Sequence, residues 1–274
     1  MKTIGFIDYY ISEWHANNYP AWIKAASERL GLDYEVKFAY AELDVSLVDN
    51  VTTDEWCEKF GVTRCESISE LTEKSDYVII LAPSNPECHL GYAKEALNSG
   101  KRTYIDKTFA PDLATAKEIF ELAECGKTEI FSTSALRYAT ELASLNSPKS
   151  IVITGGGSNL PEYIIHQIEM AVKLLGVGAV SARVEKVGDE DVCYVEYADE
   201  RRAELHYFPK NGYTVSDGNN TVSCKSDFFL GLIEDILRFF EGADTPVSRE
   251  QTLEVMKIRE GVIRSFENGG RVNF

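Results

Sequence analysis

"SDYVIILAPSNPECHLGYAKEALNSGKRTYIDKTFA", Ser75 to Ala110, is the stretch on which the fold turns. Within it "YVIILA" (Tyr77 to Ala82) is a continuous apolar run, the pattern of a strand covered on both faces. Asn85 before Pro86 reads as the cap and first residue of a helix, and Gly100 as its end. "RTYID" (Arg102 to Asp106) then reads as a second strand. A strand, a helix and a strand in this order imply two parallel strands joined by a right-handed crossover.

The same rhythm runs outward in both directions. Upstream, "TIGFI" from Thr3 reads as a strand, Tyr19 to Leu30 as a helix closed by Gly31, and "YEVKFAY" from Tyr34 as the next strand. Thr53 to Phe60 forms a short helix stopped by Gly61, and Ser67 with Glu70 has capping-box spacing before another. Downstream, Asp112 to Cys125 is a helix ended by Gly126, and "EIFSTS" is a last strand. The expectation is an α/β protein whose N-terminal part is a doubly wound parallel sheet with helices on both faces.

From about Ser150 the rhythm changes. "SIVIT" reads as a strand and Pro161 to Leu175 as a helix; "VSARVEKV", "VCYVEYA", "RAELHYF" and "TVSCKS" follow with no helices between them. Their alternation suits an open, mainly antiparallel sheet with one covered face. Helices over Asp227 to Glu241 and from Ser248 to near Gly269 finish the chain. The expected domains are residues 1–134 and 135–274.

A net charge of −16 over 274 residues argues against a nucleic-acid partner, whose capture draws on Lys and Arg. No apolar run is long enough to span a bilayer, and no signal-peptide core precedes the first strand, so a cytoplasmic protein without a membrane partner is expected. The six cysteines lack CxxC spacing; they read as reduced residues, and no metal is expected.

In a doubly wound sheet, ligands lie at the carboxyl ends of the strands. That rim comprises Asp8 to Glu13, Ala82 to Asn85 and Asp106 to Ala110. Lys107 directly follows a strand there and is either a donor and proton carrier or a solvated loop lysine. On the helix from Pro161, Glu162, His166, Glu169 and Lys173 fall in one narrow stripe between bulky apolar side chains. Glu162 and His166 are four apart, within hydrogen-bonding reach, which would prepare the imidazole as an acid or base. The alternative is a surface helix with a Glu169–Lys173 pair. "TGGGS" (Thr154 to Ser158) either lets a ligand approach the backbone or simply makes a turn. His15, His89 and His206 have no metal-ligand spacing.

Four segments, in order, resemble the Gfo/Idh/MocA oxidoreductases. The opening stretch is similar to the family segment ending in Glu-Lys-Pro, with Lys107 at the lysine. "SALRY" (Ser134 to Tyr138) resembles the segment after the nucleotide domain. "GGGSNLPEYIIHQIEMAVKLLG" is similar to a glycine stretch followed by Asp-x-x-x-His, matched by Glu162 and His166. "FFEGADTPVSREQTLEVMKIREGVIRSFENGGRV" resembles the family's C-terminus.

The resemblance implies a Rossmann-type domain followed by a substrate-binding and oligomerisation domain. It implies hydride transfer between NAD or NADP and a hydroxyl carbon of a sugar, polyol or related small molecule. His166 would exchange the hydroxyl proton, Lys107 would polarise the reacting oxygen, and Glu162 would hold the substrate or His166. The cofactor would meet Asp8, Tyr9, Tyr10, Glu42, Pro83, Ser84, His89, Asp106 and Lys107. Glu42 or Asp44 favours NAD, since no arginine in that stretch welcomes a 2′-phosphate. A homo-oligomer is expected through the outer face of the second sheet.

The chain departs from the family pattern at three motifs, and it is shorter than most members, chiefly between Tyr138 and Gly155. The glycines of Gly-x-Gly-x-x-Gly are absent from Asp8 to Glu13, Glu-Lys-Pro is Asp106-Lys107-Thr108, and the aspartate is Glu162. The alternative is a non-oxidative relative that has lost the nucleotide site and acts as a sugar-binding or accessory subunit.

Overall fold

The computed structural model describes residues 1–145, 148–209 and 212–274. In chain order the elements begin with β1 (Lys2–Asp8), α1 (Trp14–Leu30), β2 (Tyr34–Ala41), α2 (Thr53–Phe60), β3 (Thr63–Arg64), α3 (Ile68–Lys74) and β4 (Tyr77–Ile80). There follow α4 (His89–Ala96), β5 (Thr103–Ile105), α5 (Leu113–Gly126), β6 (Ile130–Phe131), β7 (Ser150–Gly155) and α6 (Leu160–Leu175). Next come β8 (Ala179–Val187), β9 (Glu190–Tyr197), β10 (Arg202–Tyr207), β11 (Thr214–Ser216) and β12 (Thr221–Ser223). The chain closes with α7 (Phe228–Phe240), α8 (Arg249–Asn268) and β13 (Arg271–Asn273).

Two compact units result: Met1–Thr133 with Phe229–Ser248, and Ser134–Phe228 with Arg249–Phe274. The first crossing falls beside Ser134. The return of Phe229–Ser248 to the first unit differs from the expected bounds, and its cause is aromatic packing. Phe240 stacks on Tyr77 with centroids 4.5 Å apart, and Phe229 stacks on Trp22 of α1 at 4.7 Å. Local sequence around α7 carries no sign of which unit will take it.

The first unit is a six-stranded sheet, β3-β2-β1-β4-β5-β6, and every pairing is parallel. Strand order reverses between β1 and β4, which fixes the ligand rim at their carboxyl ends. Gly5 lies inside β1 because a Cβ there would fall on the Leu71 side chain of α3. Two local readings need correction. Helix α1 starts at Trp14 rather than Tyr19, with Pro20 inside it, because Glu13 supplies the cap. Asn85 makes no side-chain cap; its amide donates to Glu87, and the chain enters α4 through a 3-10 turn at Pro86–Cys88.

The second unit is a seven-stranded mixed sheet, β12-β11-β7-β10-β9-β8-β13. Its pairings are antiparallel except β7 with β10. Helices α6 and α8, through residues such as Ile168 and Ile258, share a core with its apolar side chains, among them Ile153, Cys193 and Leu205. The short strands β11 and β13 were not expected from the sequence. Among the described residues, no helix is long and apolar enough to cross a membrane.

Candidate functional site

Asp8 ends β1 at the point where strand order reverses. Its Oδ1 accepts the N–H of Tyr9 at 2.7 Å and of Ala82, beyond β4, at 3.0 Å. Ala82 takes a left-handed φ of 52° to present that N–H. Asp8 is 1% exposed, and its Oδ2 has no hydrogen-bond partner. Burial first, then the charge of Glu13, pushes the Asp8 carboxyl well above the ordinary carboxylate range. Its carboxyl therefore ties the ends of β1 and β4 together.

Glu13 caps α1 with both oxygens. Oε2 accepts the N–H of His15 at 2.8 Å, and Oε1 accepts the N–H of Ala16. The N–H of Asn17 reaches the Glu13 carbonyl at 2.9 Å. Helix N-termini bind anions through these free N–H groups and the helix dipole. Here a buried carboxylate of the chain itself takes that place. The His15 ring bridges Glu13 Oε2 (3.2 Å) and Asp106 Oδ2 (3.7 Å). Asp106 Oδ1 lies 2.9 Å from the Tyr104 hydroxyl and 3.4 Å from that of Tyr19. Asp106 Oδ2 is buried without a hydrogen-bond partner. Asp8, Glu13, His15 and Asp106 thus form one acidic cluster below the rim.

Other rim residues are partly engaged. Lys107 is half-buried, donates to the Pro83 carbonyl at 3.2 Å, and precedes a cis peptide bond to Thr108. Ser84 is exposed beside it. His89 is fully buried, with Nδ1 3.1 Å from the Phe109 carbonyl and Nε2 2.6 Å from that of Leu81. Burial pushes its pKa down. His89 is therefore a brace under the rim, with both ring nitrogens turned to main chain. Tyr9 and Tyr10 are half-buried, their rings 5.9 Å apart. Glu42 accepts from the Tyr92 hydroxyl at 2.7 Å. An arginine does lie near the acidic end of β2. Pairing of β3 with β2 brings in Arg64, which bonds Asp44 at 2.7 Å and Asp54 at 3.1 Å.

In the second unit, His166 on α6 is half-buried, and its Nδ1 is 2.6 Å from Ser134 Oγ. Tyr163 and Tyr213 place their rings 5.9 Å from the imidazole. The glycine run explains how they fit. A Cβ at Gly155 would strike the Tyr213 ring, at Gly156 the Phe208 carbonyl, and at Gly157 the Tyr163 ring. Gly155 and Gly157 make room for aromatic rings of the chain itself, and Gly156 for a main-chain carbonyl. Glu162 accepts from the Asn159 amide at 3.0 Å, and Asn159 caps the helix.

In the lower part of the α6 stripe Lys173 is exposed but Glu169 is interior. Glu169 is buried against Arg137 at 3.2 Å and accepts the Ser134 N–H at 3.2 Å, while Lys173 donates to the Arg137 carbonyl. Glu169 thus pairs with an arginine distant in sequence. Its network holds Ser134, and Ser134 bonds His166.

Sequence reasoning did not assign Glu13, His15, Ser134 or Arg137 a role. The signal for Glu13 was its place directly before a helical run, masked by Pro20. Ser134 and Arg137 lie within the quoted "SALRY".

As it stands, the α1 N-terminus does not fit a dinucleotide pyrophosphate. Its N–H groups hold Glu13. Among the described residues, no three His, Cys, Asp or Glu side chains are arranged to hold a metal ion.

Residues 41–132 match a family model described as "Oxidoreductase family, NAD-binding Rossmann fold". The chain is 24% identical over 192 residues to an uncharacterized oxidoreductase of Schizosaccharomyces pombe, covering 60% of this chain and 51% of that one. It spans about half or less of the length of the curated relatives it matches. The fold is similar to a putative myo-inositol dehydrogenase from Sinorhizobium meliloti 1021 (TM-score 0.74, 13% identity, 100% of this chain and 99% of that one). It is likewise similar to GenD2 from gentamicin A biosynthesis, solved in complex with NAD (TM-score 0.74, 12% identity, 100% and 97%).

Proposed function

We propose that the chain is an oxidoreductase of the Gfo/Idh/MocA kind that interconverts a hydroxyl and a carbonyl on a sugar, polyol or related small molecule, with NAD or NADP as redox partner. The observation that carries this reading is the seat of His166: an imidazole held at Nδ1 by Ser134, flanked by two tyrosines, and open to solvent on part of its surface. In the proposed roles, His166 exchanges the hydroxyl proton and Lys107 polarises the reacting oxygen. Glu162 is a substrate-positioning carboxylate. The family match supports a nicotinamide, as does the NAD complex of GenD2; the polyol class follows the myo-inositol dehydrogenase likeness. A cytoplasmic location and a homo-oligomer, read by sedimentation, belong to the same proposal.

One observation favours a second reading. Glu13 fills the place where a cofactor phosphate would sit, as expected of a non-oxidative, sugar-binding or accessory relative. Thermal melting separates the two. A rise in Tm with NAD(H) or NADP(H) at millimolar concentration supports the oxidoreductase. No shift with any of them supports the second reading.

A further inference from the structure

We infer that Glu13 is an internal substitute for the cofactor's phosphate, so that a dinucleotide enters the first unit only when this carboxylate leaves the N–H groups of His15 and Ala16. The inference rests on the oxidoreductase reading and concerns the control of its cofactor site.

Three features of the first unit carry it. The carboxylate is bidentate: each oxygen holds one N–H, as an oxyanion of a ligand would. Glutamate is not among the residues favoured as helix caps, since Ser, Thr, Asp and Asn reach the same N–H groups with a shorter stem. A longer stem lets the carboxylate be bound and released without moving the backbone.

The backbone around it is fastened. Ser46 Oγ donates to the Ser12 carbonyl at 2.7 Å, Ser12 Oγ donates to Asp49 at 2.7 Å, and Leu43 N–H donates to the Tyr9 carbonyl at 2.7 Å. These bonds tie the turn before α1 to the segment that follows β2. Finally, the carboxyls of Asp8 and Asp106 are buried in the same cluster, joined to Glu13 through the His15 ring on the Asp106 side.

The test is NADH binding to the full chain, followed by titration calorimetry, for wild type, Glu13→Ser and Glu13→Gln. Serine keeps a helix cap and removes the charge; glutamine keeps the length and guards against a serine variant that fails to fold. Melting curves without ligand confirm folding. The inference expects NADH to bind Glu13→Ser at least about tenfold tighter than wild type, with Glu13→Gln between them. Adenosine, which has no phosphate, should bind all three alike. Equal NADH affinity in wild type and both variants overturns the inference and leaves the oxidoreductase reading standing. NADH binding to none of the three overturns both.

Discussion

Replacing Arg137 by methionine tests the network that seats His166. The side chains of Arg137 and Glu169 are 8% and 5% exposed, and their charged atoms are 3.2 Å apart. At that separation the attraction is about 5 kcal/mol for an effective dielectric of about 20. Desolvation offsets much of it, so the net value of the pair is small. Removing one partner still leaves a buried charge, at a cost of about 3–5 kcal/mol. Arg137→Met should therefore destabilise the protein by about that amount, while the double variant Arg137→Met/Glu169→Leu should fall short of the sum of the singles by at least about 2 kcal/mol. The assay is denaturant unfolding of the four proteins of the cycle, followed by hydrogen exchange at amides of the second unit, since two compact units need not unfold together. Because Glu169 also holds the Ser134 N–H, protection there should fall in Arg137→Met. Singles that add within about 0.5 kcal/mol would refute the reasoning.

Two further outcomes concern pH. Asp8 holds its proton more tightly folded than unfolded, so its contribution is present near its ordinary value of 3.8 and is lost as pH rises through the raised folded pKa. Asp8→Asn keeps the acceptor for Tyr9 and Ala82 and cannot ionise; its Tm advantage over wild type should grow from pH 4 towards pH 8, and a constant difference would contradict the assignment. Glu141 behaves oppositely. Burial works against its charge, but hydrogen bonds from the Ser226 hydroxyl and the N–H groups of Lys225 and Ser226 prevail and lower its pKa from 4.5 to about 2. Its contribution is present above pH 4.5 and fades as pH falls towards 2. The Tm gap between wild type and Glu141→Gln should close over that window.

The parallel sheet was legible because β4 is a continuous apolar run and glycines mark the ends of several helices. Legibility failed where a long-range partner decided the structure. Pro20 looks like the first turn of a helix, yet with Glu13 as its cap α1 begins at Trp14. Arg64 stands far from Asp44 in sequence and meets it only through strand pairing. Glu169 sits in a polar stripe of α6, but Arg137 makes that position interior. Strands β11 and β13 are three residues each, too short to show alternation. Lys107 and His166 are proposed from their places in the sequence and from the family resemblance; the brace position of His89 was not legible, because the two carbonyls it faces come from Leu81 and Phe109.

The central claim is that this chain performs redox chemistry on a hydroxylated small molecule through His166 and Lys107. Its most direct test is the initial rate of nicotinamide reduction by wild type, Lys107→Ala and His166→Ala with a panel of sugars, inositols and amino sugars, at millimolar NAD or NADP. The account expects turnover by wild type with at least one compound and a loss of about 100-fold or more in each folded variant. No turnover across the panel, or undiminished rates in both variants, would contradict it.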